Sequence, residues 1–312
     1  MGMAGVEFVK GHGTQNDFVL LPDVDGLLEL TPARVRAICD RRRGLGADGV
    51  LRVVRTAAGW DLGGPVPDAE WFMDYRNADG SIAEMCGNGV RVFAHYLAAV
   101  GLVSPVQPLA VATRAGVRPV RWESDGQITV EMGPVLLGEP GTATVAGRRY
   151  EGVAADVGNP HLVCITDTPL DELDLTVAPG VDNGQFPHGV NVEFVTPPSR
   201  EAVSMRVHER GVGETRSCGT GTVAVAAAVL AGRDGELTVD VPGGRVRVRL
   251  TADADSCSAT LTGPAELVAS GELDLDWWKA AGEPEGGSGG AESSSGETHR
   301  TAAPNSVTMA GK

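Results

Sequence analysis

Two cysteines stand in matching surroundings, Cys86 in CGNG and Cys218 in CGTG, and each glycine-bracketed loop runs into an apolar stretch that reads as a buried helix. The first-turn amides of a helix find no partners inside it, so both thiols would meet free donors and a positive field. That field favours thiolate over thiol, and the expectation is a pKa lowered from about 8.5 toward neutrality at both cysteines. The same amides suit a substrate carboxylate, and glycines at 87, 89, 219 and 221 would let a ligand approach the backbone closely. Two thiols in equivalent settings fit a nearly symmetric reaction. One removes a proton from one face of a carbon while the other delivers a proton to the opposite face.

The elements that must hold these thiols repeat along the chain. A constant offset lays Cys86 on Cys218, Met73 of WFMDY on Met205 of VSMRVHE, and Asn77 on Glu209; a weaker echo relates the hairpin around Asn16 to that around Asn159. Short β-branched runs between Gly, Pro, Asn and Asp (VEFVK, DFVLL, GVLRVV, HLVCITD, VNVEFV, GRVRVRL) read as strands. TPARVRAICDRRR reads as one helix, with a Thr cap, Pro in the first turn and arginines at its end. The expected fold is α+β, two pseudo-symmetric halves in which a mostly antiparallel sheet wraps a central helix. Residues 1–130 with 266–282 would form the half carrying Cys86, and residues 131–265 the half carrying Cys218. From Glu283 the chain has almost nothing large and apolar to bury, so 283–312 should be a disordered tail.

Composition narrows the partners. Against 26 basic residues stand 41 acidic ones, a formal charge of −15 that repels phosphate backbones and anionic lipid heads. The longest apolar run, Val223 to Ala231, falls far short of the roughly 20 residues a membrane span needs. MGMAGVEFVKGHG lacks a secretory h-region, and five cysteines without a CxxC pair suggest free thiols and a cytoplasmic protein. Cys39, Cys164 and Cys257 fit an inert core role. The histidines show no metal-ligand spacing with the cysteines, so no metal is expected. GLGADG at 44–49 matches GxGxxG but opens a strand, which makes it a turn and not a dinucleotide site. A dithiol redox protein is a rival reading, weakened because Cys86 and Cys218 lie far apart in matched contexts. Asn16 and Asn77 on their own could be turn residues.

Taken together, HGTQNDF, GLGADG, NADGSIAEMCGNGVR, VGNPHLV, GVNVEFV and HERGVGETRSCGTGT resemble diaminopimelate epimerase, a family of amino-acid epimerases that work without pyridoxal phosphate. The resemblance spans about residues 6 to 280. It implies epimerisation of LL-2,6-diaminopimelate to the meso isomer, in lysine and peptidoglycan precursor biosynthesis, with no cofactor, a small amino acid as partner and a homodimer left open. It makes Cys86 and Cys218 the acid/base pair, with His161 and Glu209 tuning them. Gly87, Asn88, Gly219 and Thr220 would hold the reacting carboxylate; Asn16, Asn77, Asn159, Asn191, Glu209 and Arg210 would bind the rest. Carboxylate and guanidinium suit a distal ammonium and a distal carboxylate. The chain departs from the common family pattern at Gly49, where many members carry Gln. The alternative is a related racemase acting on proline, hydroxyproline or histidine.

Overall fold

The computed structural model describes residues 5–58, 68–199, 201–253 and 256–282; the expected disordered tail lies outside the described residues. The first series of elements is β1 (Gly5–Gly13), β2 (Asn16–Pro22), α1 (Pro32–Cys39), β3 (Gly49–Arg55), β4 (Trp71–Asn77), α2 (Gly87–Ala99), β5 (Leu109–Thr113), β6 (Gly116–Trp122) and β7 (Ile128–Pro134). The second is β8 (Leu136–Val145), β9 (Arg148–Asp156), β10 (Pro160–Ile165), β11 (Gly180–Val181), β12 (Asn191–Val195), β13 (Ala202–Glu209), β14 (Gly213–Thr215), α3 (Gly219–Leu230), β15 (Gly235–Val241), β16 (Gly244–Ala252) and β17 (Cys257–Gly263). The chain then adds β18 (Glu266–Asp274) and α4 (Leu275–Ala280).

Strand pairing repeats as the sequence does. Hairpins β1–β2 and β9–β10 each pass their second strand to a parallel neighbour, β3 or β12, which pairs antiparallel with β4 or β13. From there the chain crosses over through α2 or α3 to a parallel strand, β5 or β15, and runs through two antiparallel steps to β7 or β17. β18 lies antiparallel on β1 as β8 lies on β9, and β7 pairs with β17 to join the two series. The expected α+β class holds.

Hydrophobic burial explains why α2 and α3 occupy the centre of these sheets. Val90, Val92, Phe93 and Leu97 of α2, and the run Val223 to Ala227 of α3, share one core with Phe18, Leu51, Trp71, Val130, Val248 and Leu261. The opposite face of β2 and β3 (Val19, Leu21, Val50) packs under α1 and α4 through Ile38 and Trp278. DFVLL therefore reads as a continuous apolar run because both faces are covered. Thr31 caps α1 as expected, accepting from the Arg34 amide at 3.3 Å. The helix is shorter than its arginine-rich pattern predicts. Asp40 takes the amides of Arg42 and Arg43 at 2.8 Å each, an Asp turn that competes with the helix and ends it at Cys39. Among the described residues no helix is long and apolar enough to cross a membrane.

The turn between β1 and β2 is only Thr14 and Gln15, both left-handed at φ 49° and 61°. It reaches into the second series: Thr14 Oγ1 lies 2.7 Å from Ser217 Oγ, and Gln15 Oε1 accepts from Arg216 Nε. Gly243, in the β15–β16 turn, packs so closely here that a Cβ would overlap the Thr14 carbonyl oxygen. Gly243→Ala should cost about 1–3 kcal/mol in urea unfolding, as overpacking typically does; a loss below about 0.5 kcal/mol would show that the turns do not meet this tightly.

Candidate active site

Cys86 and Cys218 are the N-caps of α2 and α3. Each sulfur accepts the amide three residues on, Gly89 N at 3.5 Å and Gly221 N at 3.4 Å. The two helix starts abut: a Cβ on Gly219 would stand 3.5 Å from both Asn88 N and Gly87 Cα. Asn88 ties them together. Its Nδ2 is shared among Ser217 O at 3.3 Å, Ser217 Oγ at 3.2 Å and Asn16 Oδ1 at 3.2 Å, while Arg91 Nη2 donates to its Oδ1 at 2.9 Å. Arg91 is fully buried, and that desolvation pulls its guanidinium down to about 10.

On the Cys86 side, Asn16 donates through Nδ2 to Asp48 Oδ2 at 2.8 Å, which leaves Oδ1 to accept from the Cys86 thiol at 3.5 Å. Asp48 is itself gripped by Arg41 Nη2 at 2.8 Å and by the Asp17 amide at 3.1 Å. Tyr75 is buried close to both thiols; burial first, then the charges of Cys86, Glu209, Asp48 and Cys218, push its phenol well above the ordinary range. Gly49 is what lets it lie there, since a Cβ at that position would come within 2.7 Å of the Tyr75 ring.

On the Cys218 side, the sulfur lies 3.5 Å from Thr220 Oγ1 and close to the carboxyl of Glu209, which accepts from the Thr215 hydroxyl. Burial raises Glu209 above the usual carboxylate range. His161 is bonded not to a thiol but to Glu193 Oε1, 2.7 Å from Nδ1, and to Asn159 Oδ1, 3.1 Å from Nε2. Asn191 Oδ1 accepts from the Arg210 amide at 2.9 Å, and Arg210 Nη1 donates to His188 O at 3.0 Å. Asn77 bonds its own loop through Ser81 Oγ at 3.0 Å. The structure thus gathers Cys86, Gly87, Asn88, Asn16, Cys218, Gly219, Thr220 and Glu209. His161, Asn159, Asn191 and Arg210 line up on the neighbouring strand ends β10, β12 and β13, and Asn77 closes β4.

Reasoning from sequence passed over Asp48, Tyr75, Arg91, Ser217 and Glu193. Glu193 left a signal, an acid in the otherwise apolar run VNVEFV. The others had none, because their roles come from contacts between distant segments.

The family described as Diaminopimelate epimerase matches residues 8–137 and 153–268. A diaminopimelate epimerase of Rhodococcus erythropolis is 56% identical over 295 residues, covering 89% of this chain and 99% of that protein. One from Mycolicibacterium gilvum is 56% identical over 292 residues, covering 88% and 99%. Among solved structures, a PhzF-family phenazine biosynthesis protein of Bacillus anthracis shares the fold with a TM-score of 0.66 at 17% identity, covering 87% of this chain and 99% of that one. A hydroxyproline epimerase of Agrobacterium vitis with bound trans-4-hydroxy-L-proline has a TM-score of 0.64 at 17% identity, covering 90% and 98%.

The thiols do not have the lowered pKa that their helix positions suggest. Burial pushes Cys86 up to about 11 against the pull of the Gly89 amide, and burial, then the carboxylates of Glu209 and Glu193, push Cys218 well above its ordinary value. The helix-start donors act in the foreseen direction, but removing a thiolate from water is the larger effect. In the free protein the nucleophilic thiolate of Cys86 is therefore a minor form at neutral pH that grows as pH rises. Alkylation of Cys86 by iodoacetamide should keep accelerating beyond pH 9; a plateau reached below pH 8 would mean that the helix field prevails.

Proposed function

Because this chain belongs to the diaminopimelate epimerase family, we propose that it converts LL-2,6-diaminopimelate to the meso isomer by a two-thiol proton transfer, and that Cys86 and Cys218 are the two acid/base groups. The reaction is an isomerisation in lysine biosynthesis, on the route that also feeds peptidoglycan precursors, and the cytoplasm is the compartment that suits free thiols. One observation carries the reading: two cysteines cap two abutting helix starts, the part of a helix that takes a carboxylate. In this reading the halves 1–130 with 266–282 and 131–265 each bring one thiol to the cleft between them.

The substrate's reacting carboxylate is held by the amides of Gly87, Asn88, Gly219 and Thr220, with charge that builds on it as the α-carbon loses its proton stabilised by both helix starts. No pyridine ring is needed as an electron sink. The α-ammonium, brought beside a buried thiol, offsets the burial that keeps the thiol protonated, so the base forms when substrate is in place. The thiolate takes the α-hydrogen as the C–H bond breaks toward the carboxylate. The opposite thiol gives its proton to the other face, and the roles exchange in the reverse reaction. Asn16 accepts from the Cys86 thiol, and the Cys218 sulfur lies within hydrogen-bond distance of Thr220 Oγ1 with the Glu209 carboxyl nearby, so each thiol has a polar partner. Asn77, Asn159, Asn191 and the exposed guanidinium of Arg210 receive the distal amino-acid end, which proline lacks.

Purified protein supplied with LL-diaminopimelate should form the meso isomer, and L-proline or trans-4-hydroxy-L-proline should not be epimerised. Cys86→Ser and Cys218→Ser should each lower turnover by at least about 10²-fold, the usual worth of a general acid or base. Turnover of either variant within about tenfold of the parent would remove that cysteine from the acid/base pair.

A further inference from the structure

The repeat places equivalent backbone under the two thiols but not equivalent chemistry. Pairing of β2 with β3 sets Phe18 opposite Gly49 and Leu20 opposite Leu51, and pairing of β10 with β12 sets His161 opposite Asn191 and Val163 opposite Glu193. Phe18 thus corresponds to His161, and Leu51 to Glu193. All four side chains are 0% exposed. Both pairs lie beneath a helix start. A Cβ on Gly89 would meet Leu51 Cδ2 at 3.3 Å and Phe18 Cζ at 3.6 Å, whereas one on Gly221 would meet Glu193 Oε1 at 2.7 Å and Cys218 Sγ at 3.3 Å. The floor under Cys86 is hydrocarbon, and the floor under Cys218 is an imidazole and a carboxyl.

We infer that Glu193 is a positioning residue that holds the His161 ring beneath the first turn of α3 and makes the Cys218 face of the site chemically distinct from the Cys86 face. A carboxylate can only accept, so Glu193 Oε1, 2.7 Å away, fixes His161 Nδ1 as a donor. With Nδ1 donating to Glu193, a neutral ring offers Nε2 only as an acceptor, so Asn159, whose side chain lies 3.1 Å away, must turn its Nδ2 toward it, and the orientation of that amide is set in turn. Packing does not require this pair, because Phe18 and Leu51 fill the equivalent places in the other half. A buried ionisable pair is also no gain in stability over well-packed apolar residues. Glu193 Oε2 finds no hydrogen-bond partner among the described residues, whereas a group retained only for stability would have one. The ionisable groups facing Glu193 are His161 on β10, Glu209 at the end of β13 and Cys218 at the start of α3.

The inference rests on the proposed epimerisation, and two readouts keep them separable. In ¹⁵N-histidine spectra of the free protein at neutral pH, Nδ1 of His161 should carry a proton that exchanges slowly with solvent. His161→Asn assigns the signal. An unprotonated Nδ1 would overturn the pairing whether or not the protein is an epimerase. With LL-diaminopimelate, Glu193→Gln should melt within a few degrees of the parent and keep KM within about twofold, while kcat falls at least tenfold and one limb of the pH–rate profile moves without the other. Should that variant not fold, Glu193→Leu with His161→Phe copies the other half's floor and should show the same loss of kcat. A kcat within twofold of the parent, with both limbs in place, would overturn the inference while leaving the epimerase reading intact; failure of the parent to epimerise would do the reverse.

Discussion

Free amides at the start of a helix carry partial positive charge, and placing two such starts in contact is unfavourable unless acceptors lie between them. Here Gly219 stands against Gly87 and Asn88, and the acceptors are the two thiol sulfurs, while the Asn88 side chain ties the starts together through Ser217 O. Much of the molecule serves that juxtaposition. The apolar circumference of α2 and α3 buries them at the centre of their sheets, β7 and β17 fasten the sheets together, and the Thr14–Gln15 turn reaches across to Ser217 and Arg216. The positive ends of the two helices favour an anion such as a carboxylate at this point.

Burial and field act against each other at this point. Water must be kept from a carbanion-like centre, and the enclosure that does so also raises Cys86 to about 11 and lifts Cys218 well above its ordinary value. Under the proposed mechanism, a site poised this way is quiet without substrate and becomes basic when the ammonium of its own substrate arrives. The cost of that arrangement falls on the neighbours: Tyr75, Glu209 and Arg91 all have their charged forms disfavoured by burial. The repeat supplies two similar helix starts, and the residues below them differentiate the halves, Phe18 and Leu51 on one side and His161 and Glu193 on the other.

The sequence made the centre of the site legible because CGNG and CGTG are local: cysteine, glycine and helix start lie within a few residues, and their duplication marks them out. The strands and the α+β class were legible for the same reason, from runs such as DFVLL and VNVEFV. What stayed hidden depended on distance. Asp48 orients Asn16 only because β2 and β3 are parallel neighbours, and Ser217 matters only because Asn88 crosses to it. The misjudged acidity of the thiols has a similar origin. The helix field is readable at Cys86 itself, whereas desolvation is produced by everything folded around it. The arginines after Cys39 misled for a local reason, since Asp40 turns its carboxylate back on the amides that would have continued α1.

The two-thiol account is tested most directly by the fate of the α-hydrogen. A thiol carries one proton, so in heavy water the base must keep the hydrogen it removes while the opposite, solvent-equilibrated thiol delivers deuterium. Mass spectra and proton NMR of the first-turnover products should show meso-diaminopimelate carrying deuterium at the inverted carbon and recovered LL substrate largely unlabelled. Substantial transfer of the original hydrogen into the meso product would mean that a single base serves both faces, and would contradict the assignment of Cys86 and Cys218 to opposite sides of the substrate.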